Sequence, residues 1–185
     1  MKTILLSFIL FLLATNTNFG QPRNCKDCVA WSETRPLRWS DFKGTPKRLS
    51  PNAAMTDSGM SIELKCDGRS SKAVVRSYFN PHSSWTKDNR SAELLKHEQL
   101  HFDITELFVR KLRRQLSVFE NDCEQLSKHI QEYYDSNYKE FVAYQDQYDK
   151  ETEHSIDKAM QREWEEKVSQ ELEELKPYAS TFANN

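Results

Sequence analysis

Residues 92–116 show the clearest periodic pattern of hydrophobic and polar positions in the chain. The stretch contains no Gly or Pro and is rich in Leu, Glu, Lys, Arg and Gln, all of which favour helix. The apolar side of the predicted helix carries Leu94, Ile104, Thr105, Phe108 and Leu112. Glu106, Arg110 and Arg113 fall on the opposite side, which is therefore predicted to face solvent.

Shorter patterns surround this helix. Residues 61–66 alternate as a half-buried strand does, residues 73–79 are predicted to form another strand, and an Asp-Gly turn signal stands between them. Beyond the long helix, the sequence predicts a second helix over residues 124–144 and a last helix that ends at Pro177. The predicted fold class is α+β: a small antiparallel sheet, then a long helix and further C-terminal helices.

The long predicted helix contains His97, Glu98 and His101 in the pattern His-Glu-x-x-His. At 3.6 residues per turn, the two histidines lie one turn apart on the apolar side, so both rings can reach one metal ion. Glu98 lies about 100° around the axis from His97 and can address a water on that ion. Two His ligands with a Glu as general base are features of a zincin active site. Purely structural histidines are the less favoured alternative, because two buried imidazoles one turn apart need a shared partner.

A catalytic zinc site needs a third protein ligand, and residues 148–157 are the predicted source. His154 is the favoured candidate and would complete a three-histidine site. Glu153 is its rival, because a Glu followed four residues later by Asp resembles the helix-borne pair of glutamate zincins. His129 is a weaker candidate. Tyr148, close in sequence to these residues, is predicted to donate a hydrogen bond to the reaction's oxyanion.

The predicted reaction is hydrolysis of a peptide or protein substrate by water that one Zn²⁺ ion activates, with Glu98 as general base. Asp103 and Asp157 are candidates for fixing an imidazole tautomer. Two alternatives remain open. One is an exported zinc-binding module without catalysis, suggested by the long, charged helical stretch over residues 133–175. The other is a zinc amidase that acts on a cell-wall crosslink.

The first twenty residues have the pattern of a secretory signal peptide. Lys2 precedes an apolar run over residues 4–14, which is too short to span a membrane. We expect residues 1–20 to be removed, which leaves a single zincin-like metallopeptidase domain over residues 21–185. The mature protein is then predicted to be exported to the periplasm or the extracellular space, without a transmembrane segment.

Charge and cysteine content narrow the function further. The formal net charge is −2 and becomes −3 when Lys2 is removed, which argues against a nucleic-acid-binding protein. Four cysteines follow the signal peptide, namely Cys25, Cys28, Cys66 and Cys123. In an exported protein, structural disulfides are favoured over a redox or zinc role for the Cys-x-x-Cys pair. The sequence does not choose among the three possible pairings.

Five segments of the chain, taken together, form a recognisable sequence pattern. They are Trp39-Ser40-Asp41-Phe42-Lys43-Gly44, Ala53-Ala54 with Ser58-Gly59, residues 94–104, Tyr148-Asp149-x-x-Thr152-x-His154-Ser155, and Gln161-x-x-Trp164. Together they resemble a bacterial family of predicted secreted zinc-dependent proteases, which is also catalogued as a domain of unknown function. The resemblance covers nearly all of the mature chain. It implies zinc at His97 and His101, catalysis by Glu98, and a functional role for residues 148–155.

Overall fold

A computed structural model describes residues 18–19, 27–66 and 71–179 of the chain. The predicted signal peptide, apart from residues 18–19, and Cys25 lie outside these ranges. The elements in chain order are β1 (Asn18–Phe19), β2 (Val29–Ala30), β3 (Ala54–Met55), β4 (Ser58–Cys66), β5 (Ser71–Phe79), β6 (Trp85–Thr86), α1 (Ala92–Leu116), α2 (Cys123–Glu151) and α3 (Lys158–Glu174). The fold class is α+β, as predicted. Within the described ranges, no helix combines the length and apolar composition needed to cross a membrane.

The sheet forms around the β4–β5 hairpin, where both strands were predicted. The two strands pair antiparallel from Ser58 opposite Phe79 to Cys66 opposite Ser71. β1 lies outside β4 and β2 lies outside β5, which gives the strand order β1-β4-β5-β2. β3 and β6 pair separately as a two-stranded antiparallel ladder. Period-two alternation places the apolar side chains of β4 on one face, and that face packs on α1.

Helix α1 is the centre of the molecule, because the sheet, α2 and α3 all pack against it. Every residue from Ile104 to Arg110 is buried, so the middle of this helix has no side open to solvent. Each large apolar side chain buried in this way contributes roughly 1.5–3 kcal/mol. The main core cluster includes Ile62 and Val75 of the sheet, Leu107 and Leu112 of α1, Ile130 and Phe141 of α2, and Trp164 and Val168 of α3.

The prediction of a solvated face on α1 was wrong. Glu106 and Arg110 are buried, and Arg113 is only slightly exposed. Glu106 accepts hydrogen bonds from the Ser77 hydroxyl at 2.6 Å and from Arg110 Nε and Arg113 Nη1 at 3.1 Å each. Arg113 also donates to the Val75 carbonyl oxygen of β5 at 2.8 Å through Nη2. Burial of these charges is tolerated because each is paired and hydrogen-bonded.

A disulfide bond joins Cys66, the last residue of β4, to Cys123, the first residue of α2. The bridge ties the sheet to the start of the second helix across 57 positions of sequence. Cys28 is disulfide-bonded as well. The prediction of structural disulfides is confirmed for the Cys66–Cys123 pair, and the sequence had left this pairing open.

Helix α2 continues to Glu151, well past the end predicted at residue 144. The turn that follows contains three consecutive non-glycine residues in the left-handed region: Glu153, His154 and Ser155, with φ angles of 48°, 53° and 79°. Each left-handed residue costs roughly 1–2 kcal/mol. The backbone N–H of His154 donates to the Asp149 carbonyl oxygen at 2.9 Å and helps to hold this turn. The turn therefore places His154 beside the last turn of α2.

A smaller aromatic cluster supports the segment between β2 and β3. The Phe42 ring packs edge-on against Phe79 at 5.0 Å, and Phe79 lies 5.9 Å from Phe102 of α1. Gly44 follows, and its N–H donates to the Ser84 carbonyl oxygen at 2.8 Å. A Cβ at position 44 would lie 2.7 Å from that oxygen, so this close approach requires glycine.

Candidate metal centre

His97, His101 and Asp149 bring one ligand atom each to a common point. The two imidazole Nε2 atoms lie 3.2 Å apart, and each is 3.1 Å from Asp149 Oδ1. Ligand atoms of a tetrahedral zinc site lie roughly 3.3 Å apart, given metal–ligand distances of about 2.0–2.1 Å. The nearly equilateral triangle therefore has the dimensions of a three-ligand site for a small divalent cation. Two ligands come from one turn of α1 and the third from the last turn of α2.

A glutamine on α2 fixes the ring of His101. His101 Nδ1 lies 2.6 Å from Gln145 Oε1, and Gln145 Nε2 donates to the backbone carbonyl of His101 at 2.9 Å. The second contact orients the amide, because only its nitrogen can donate to a carbonyl oxygen. The oxygen of the amide therefore faces the ring, and His101 Nδ1 must carry a proton. His101 Nε2, in the neutral ring, then presents a lone pair to the cluster.

A second glutamine, Gln161 on α3, fixes the ring of His97. His97 Nδ1 lies 3.1 Å from Gln161 Oε1, which also accepts a hydrogen bond from the Tyr148 hydroxyl at 2.8 Å. Gln161 Nε2 donates to Glu165 Oε1 at 3.0 Å. His97 Nδ1 therefore carries a proton, and its Nε2 also presents a lone pair inward. Two such nitrogens and a carboxylate oxygen repel one another unless a cation or a proton lies between them.

The electrostatics of the metal-free cluster agree with this description. Burial raises the pKa of the Asp149 carboxyl, but the close contacts of this carboxyl with the His101 and His97 rings outweigh burial and hold that pKa well below its usual range. Burial lowers the pKa of His101, but the hydrogen bond to Asp149 and the charge of Asp149 outweigh burial and raise it above its ordinary value. A proton on His101 Nε2 and a cation at the ligand triangle therefore compete for the same position.

Glu98 stands next to the cluster on a cleft of about 130 Å³. Its side chain is buried, and its Oε2 accepts a hydrogen bond from the Thr56 hydroxyl at 2.7 Å. The cleft is lined by the three cluster residues, Glu98, Leu94, His154 and residues 52–56, which include β3. The carboxylate is thus held beside the ligand triangle, where a water or a substrate carbonyl can enter.

Tyr148 lies on the interior side of the cluster. It is fully buried, and its ring stacks on His97 with 4.7 Å between centroids. Its hydroxyl contacts Gln161 and lies 3.2 Å from the His97 carbonyl oxygen, while burial raises its pKa. Tyr148 is not among the residues that line the cleft. The predicted oxyanion contact gains no support from this placement and stays a prediction.

The three candidates for the third ligand lie in different surroundings. The His154 ring lines the cleft with 65% of its side chain exposed, and its Nδ1 is 3.4 Å from Asp149 Oδ1. It does not join the ligand triangle. Glu153 is exposed and is not among the residues that line the cleft. His129 stacks on Phe119 with 5.3 Å between centroids. The ligand role of His154 stays a prediction. The geometry instead makes Asp149 a candidate for the third ligand.

The two aspartates predicted to fix the imidazole tautomers lie elsewhere. Asp103 accepts hydrogen bonds from the Trp31 indole and the Gln99 amide, both at 2.7 Å. Asp157 caps the start of α3 by accepting from the N–H groups of residues 159 and 160. Glutamines 145 and 161 contact the ligand rings instead. Asp103 points away from the cluster because it lies on a different side of α1 from His97 and His101.

Comparisons with known proteins show a similarity to a bacterial family. The sequence model of a family described as "Bacterial protein of unknown function (DUF922)" matches residues 69–155, a little under half of the chain. The matched region contains all of α1 and α2, and with them the ligand triangle, Glu98 and His154. Neither a curated protein nor a solved structure matches the chain. The chain is therefore similar to a bacterial family whose function is not established.

Proposed function

We propose that this chain is an exported zinc-dependent peptidase in which His97, His101 and Asp149 hold the metal ion. The observation that carries the proposal is the convergence of three lone-pair-bearing atoms, 3.1–3.2 Å apart, beside a buried helix-borne carboxylate. Mixed nitrogen and oxygen ligands, three in number with an open position, suit catalytic zinc. The Cys66–Cys123 disulfide supports an oxidising compartment such as the periplasm or the extracellular space.

A zinc ion at this point would supply Lewis acidity, which activates a water and polarises a substrate carbonyl. The residues of the chain supply the proton transfers. Glu98 takes a proton from the attacking water and then passes it to the leaving amine. The Thr56 hydroxyl orients the Glu98 carboxylate through its 2.7 Å hydrogen bond. Gln145 and Gln161 keep both imidazoles in the tautomer that leaves Nε2 free.

The lining of the cleft supports a polypeptide as the substrate class. Residues 52–56 form the wall that faces α1, and β3 within this wall is extended backbone. Extended peptides bind well along such a strand, because main-chain groups recognise any sequence and side chains alternate in direction. We therefore propose that the substrate is an unfolded or flexible segment of a protein.

Replacement of Glu98 by Gln tests the proposal. Gln keeps the size of the side chain and can accept the Thr56 hydrogen bond, but it cannot take up a proton. We expect zinc content to stay at one ion per chain and hydrolysis of labelled casein and of a mixed peptide library to fall by roughly 10²–10⁴-fold. Glu93→Gln is the matched control, since Glu93 is an exposed carboxylate of the same helix, paired with Lys96.

Hydrolysis that continues in the Glu98→Gln variant at the wild-type rate would refute the assignment of the general base. A wild-type protein that binds one zinc ion and cleaves neither substrate would instead support the non-catalytic zinc-binding module. Digestion of purified peptidoglycan, with analysis of the released fragments, separates the amidase alternative from the peptidase.

A further inference from the structure

We propose that Glu165 is a positioning residue for the metal centre: it holds the Gln161 amide in the orientation that selects the metal-binding tautomer of His97. The inference rests on the proposed function, because it assigns His97 as a ligand. Glu165 itself touches neither the ligand triangle nor the cleft. Its effect therefore passes through Gln161.

Both polar atoms of the Gln161 side-chain amide have hydrogen-bond partners. The side chain is only 4% exposed, so each polar atom needs a partner within the protein. Oε1 faces His97 Nδ1 at 3.1 Å and accepts from the Tyr148 hydroxyl at 2.8 Å. Nε2 donates to Glu165 Oε1 at 3.0 Å, one helical turn further along α3.

The orientation of this amide decides where His97 carries its proton. If the amide turned by 180°, its NH₂ group would face His97 Nδ1, and Nδ1 would have to act as the acceptor. The proton of the neutral ring would then reside on Nε2, which points at Asp149 and the ligand triangle. A protonated Nε2 has no lone pair for a metal ion, so this tautomer does not bind zinc.

Among the residues that the structure describes, two groups besides His97 hydrogen-bond to the amide, and of these two only Glu165 discriminates between the orientations. Glu165 Oε1 accepts a hydrogen bond from the amide, and a carboxylate oxygen in this role requires the nitrogen of the amide on its side. The Tyr148 hydroxyl can either donate or accept. In the turned orientation it could accept from the amide nitrogen and donate to the His97 carbonyl oxygen, 3.2 Å away. Glu165 is thus the contact that excludes the wrong tautomer.

The test replaces Glu165 by Gln, which keeps the size of the side chain but can both donate and accept. Two quantities are measured: the zinc affinity, by competition with a chromophoric chelator, and the ¹⁵N shifts of the His97 ring in metal-free protein at a pH where the ring is neutral. We expect zinc binding to weaken by about tenfold, the lower end of what second-sphere changes cost. The ¹⁵N shifts should move from the Nδ1–H form to a mixture of both tautomers.

Glu166→Gln is the matched control, because Glu166 is the next carboxylate of α3 and is exposed. It should leave both readouts unchanged. Tyr148→Phe should retain the Nδ1–H tautomer, since the hydroxyl does not discriminate. A tautomer change in Tyr148→Phe but not in Glu165→Gln would transfer the role to Tyr148 and overturn the proposal.

A rescue variant separates this role from a purely structural one. Gln161→Glu places an acceptor against both His97 Nδ1 and residue 165. In the Glu165→Gln background, it should restore the Nδ1–H tautomer and return zinc affinity to within about threefold of wild type, a difference below 1 kcal/mol. Absence of rescue, or wild-type tautomer and affinity in Glu165→Gln alone, overturns the proposal. Neither readout is hydrolysis. A catalytically inactive wild type would therefore refute the proposed function without contradicting this inference.

Discussion

The two helices that meet at the metal centre encode their ligands in different ways. On α1, His97 and His101 converge because four residues of helix bring side chains onto one face, whatever the helix packs against. On α2, Asp149 reaches the same point only because that helix continues to Glu151 and packs beside α1. Ligands from one helical turn thus follow from spacing, whereas a ligand from a second helix depends on tertiary packing.

The two regions also differ in the free energy that their local conformation and charge cost. The two histidines continue the apolar face of α1 and are held by packing and by glutamines. Asp149 is a carboxylate in the last turn of α2, where the negative end of the helix dipole disfavours it by roughly 0.3–1 kcal/mol. The turn that follows is left-handed at three residues. Such local costs are typical of functional sites and are offset by the surrounding structure.

The largest effect is expected from loss of the bridge that anchors α2. In a Cys66→Ala and Cys123→Ala double variant, we expect the free energy of unfolding to fall by about 4 kcal/mol, from the loop of 57 positions that the bridge closes. Urea denaturation under oxidising conditions measures this loss. The contribution of Asp149 to zinc binding should weaken with it, since α2 is less firmly placed. A change below about 1 kcal/mol would mean that helix packing alone holds α2.

A smaller effect distinguishes the two candidates for the third ligand. We expect Asp149→Ala to weaken zinc binding by about 100-fold, close to 2.7 kcal/mol, because one of three protein ligands is lost. His154→Ala should stay within about threefold of wild type, since its ring lies outside the ligand triangle. Chelator competition measures both. The reverse pattern would restore His154 as the ligand that the sequence predicted and remove Asp149.

The smallest effect is a pH dependence of zinc binding. Because Asp149 raises the pKa of His101, a proton competes with the metal over a wider pH range than for an isolated His. Below that raised pKa, the apparent zinc affinity should fall by about tenfold per pH unit for the one proton displaced. Isothermal titration between pH 5.5 and 8.5, a range chosen to span roughly the titration of His, gives this slope.

The sign of the same linkage can be checked without metal. His101 has a raised pKa, so its contact with Asp149 stabilises the metal-free protein below the usual His pKa and is lost as pH rises through the raised value. The Asp149 pKa is lowered, so its contribution is present above the usual Asp pKa and is lost as pH falls through the lowered value. Asp149→Asn should abolish both dependences. Unchanged pH profiles of unfolding in that variant would contradict the coupling.

Much of the fold could be predicted because the relevant signals are local. The 3.6-residue pattern without Gly or Pro places α1 at Ala92–Leu116, and alternation places the β4–β5 hairpin. The error at Glu106 and Arg110 arose because a charged stripe usually faces water. Here β5, α3 and the segment at Tyr178 cover that side, and ion pairs within the stripe permit burial. Whether a charged face is covered depends on segments far away in sequence.

The sequence contains a partial signal for Gln145 and Asp149, which the sequence patterns had not identified as site residues. Asn137, Phe141 and Tyr148 of α2 are buried at spacings of four and seven, and Gln145 and Asp149 continue that side of the helix. Extension of the helix past residue 144 would therefore have turned Asp149 inward. Nothing in the local pattern would have indicated that Gln161, on a third helix, meets the ring of His97, or that Glu165 holds the Gln161 amide.

The sequence by itself determined that the His97 and His101 imidazoles lie on one face of a single helical turn, and that the Glu98 carboxylate lies at the edge of that face. Backbone hydrogen bonding fixes that arrangement over four residues, so no other part of the chain is needed. Only the tertiary structure decided which group completes the triangle, which tautomers the rings adopt, and which charges are buried. These depend on how α2 and α3 pack against α1, and packing sums many weak contacts between residues distant in sequence.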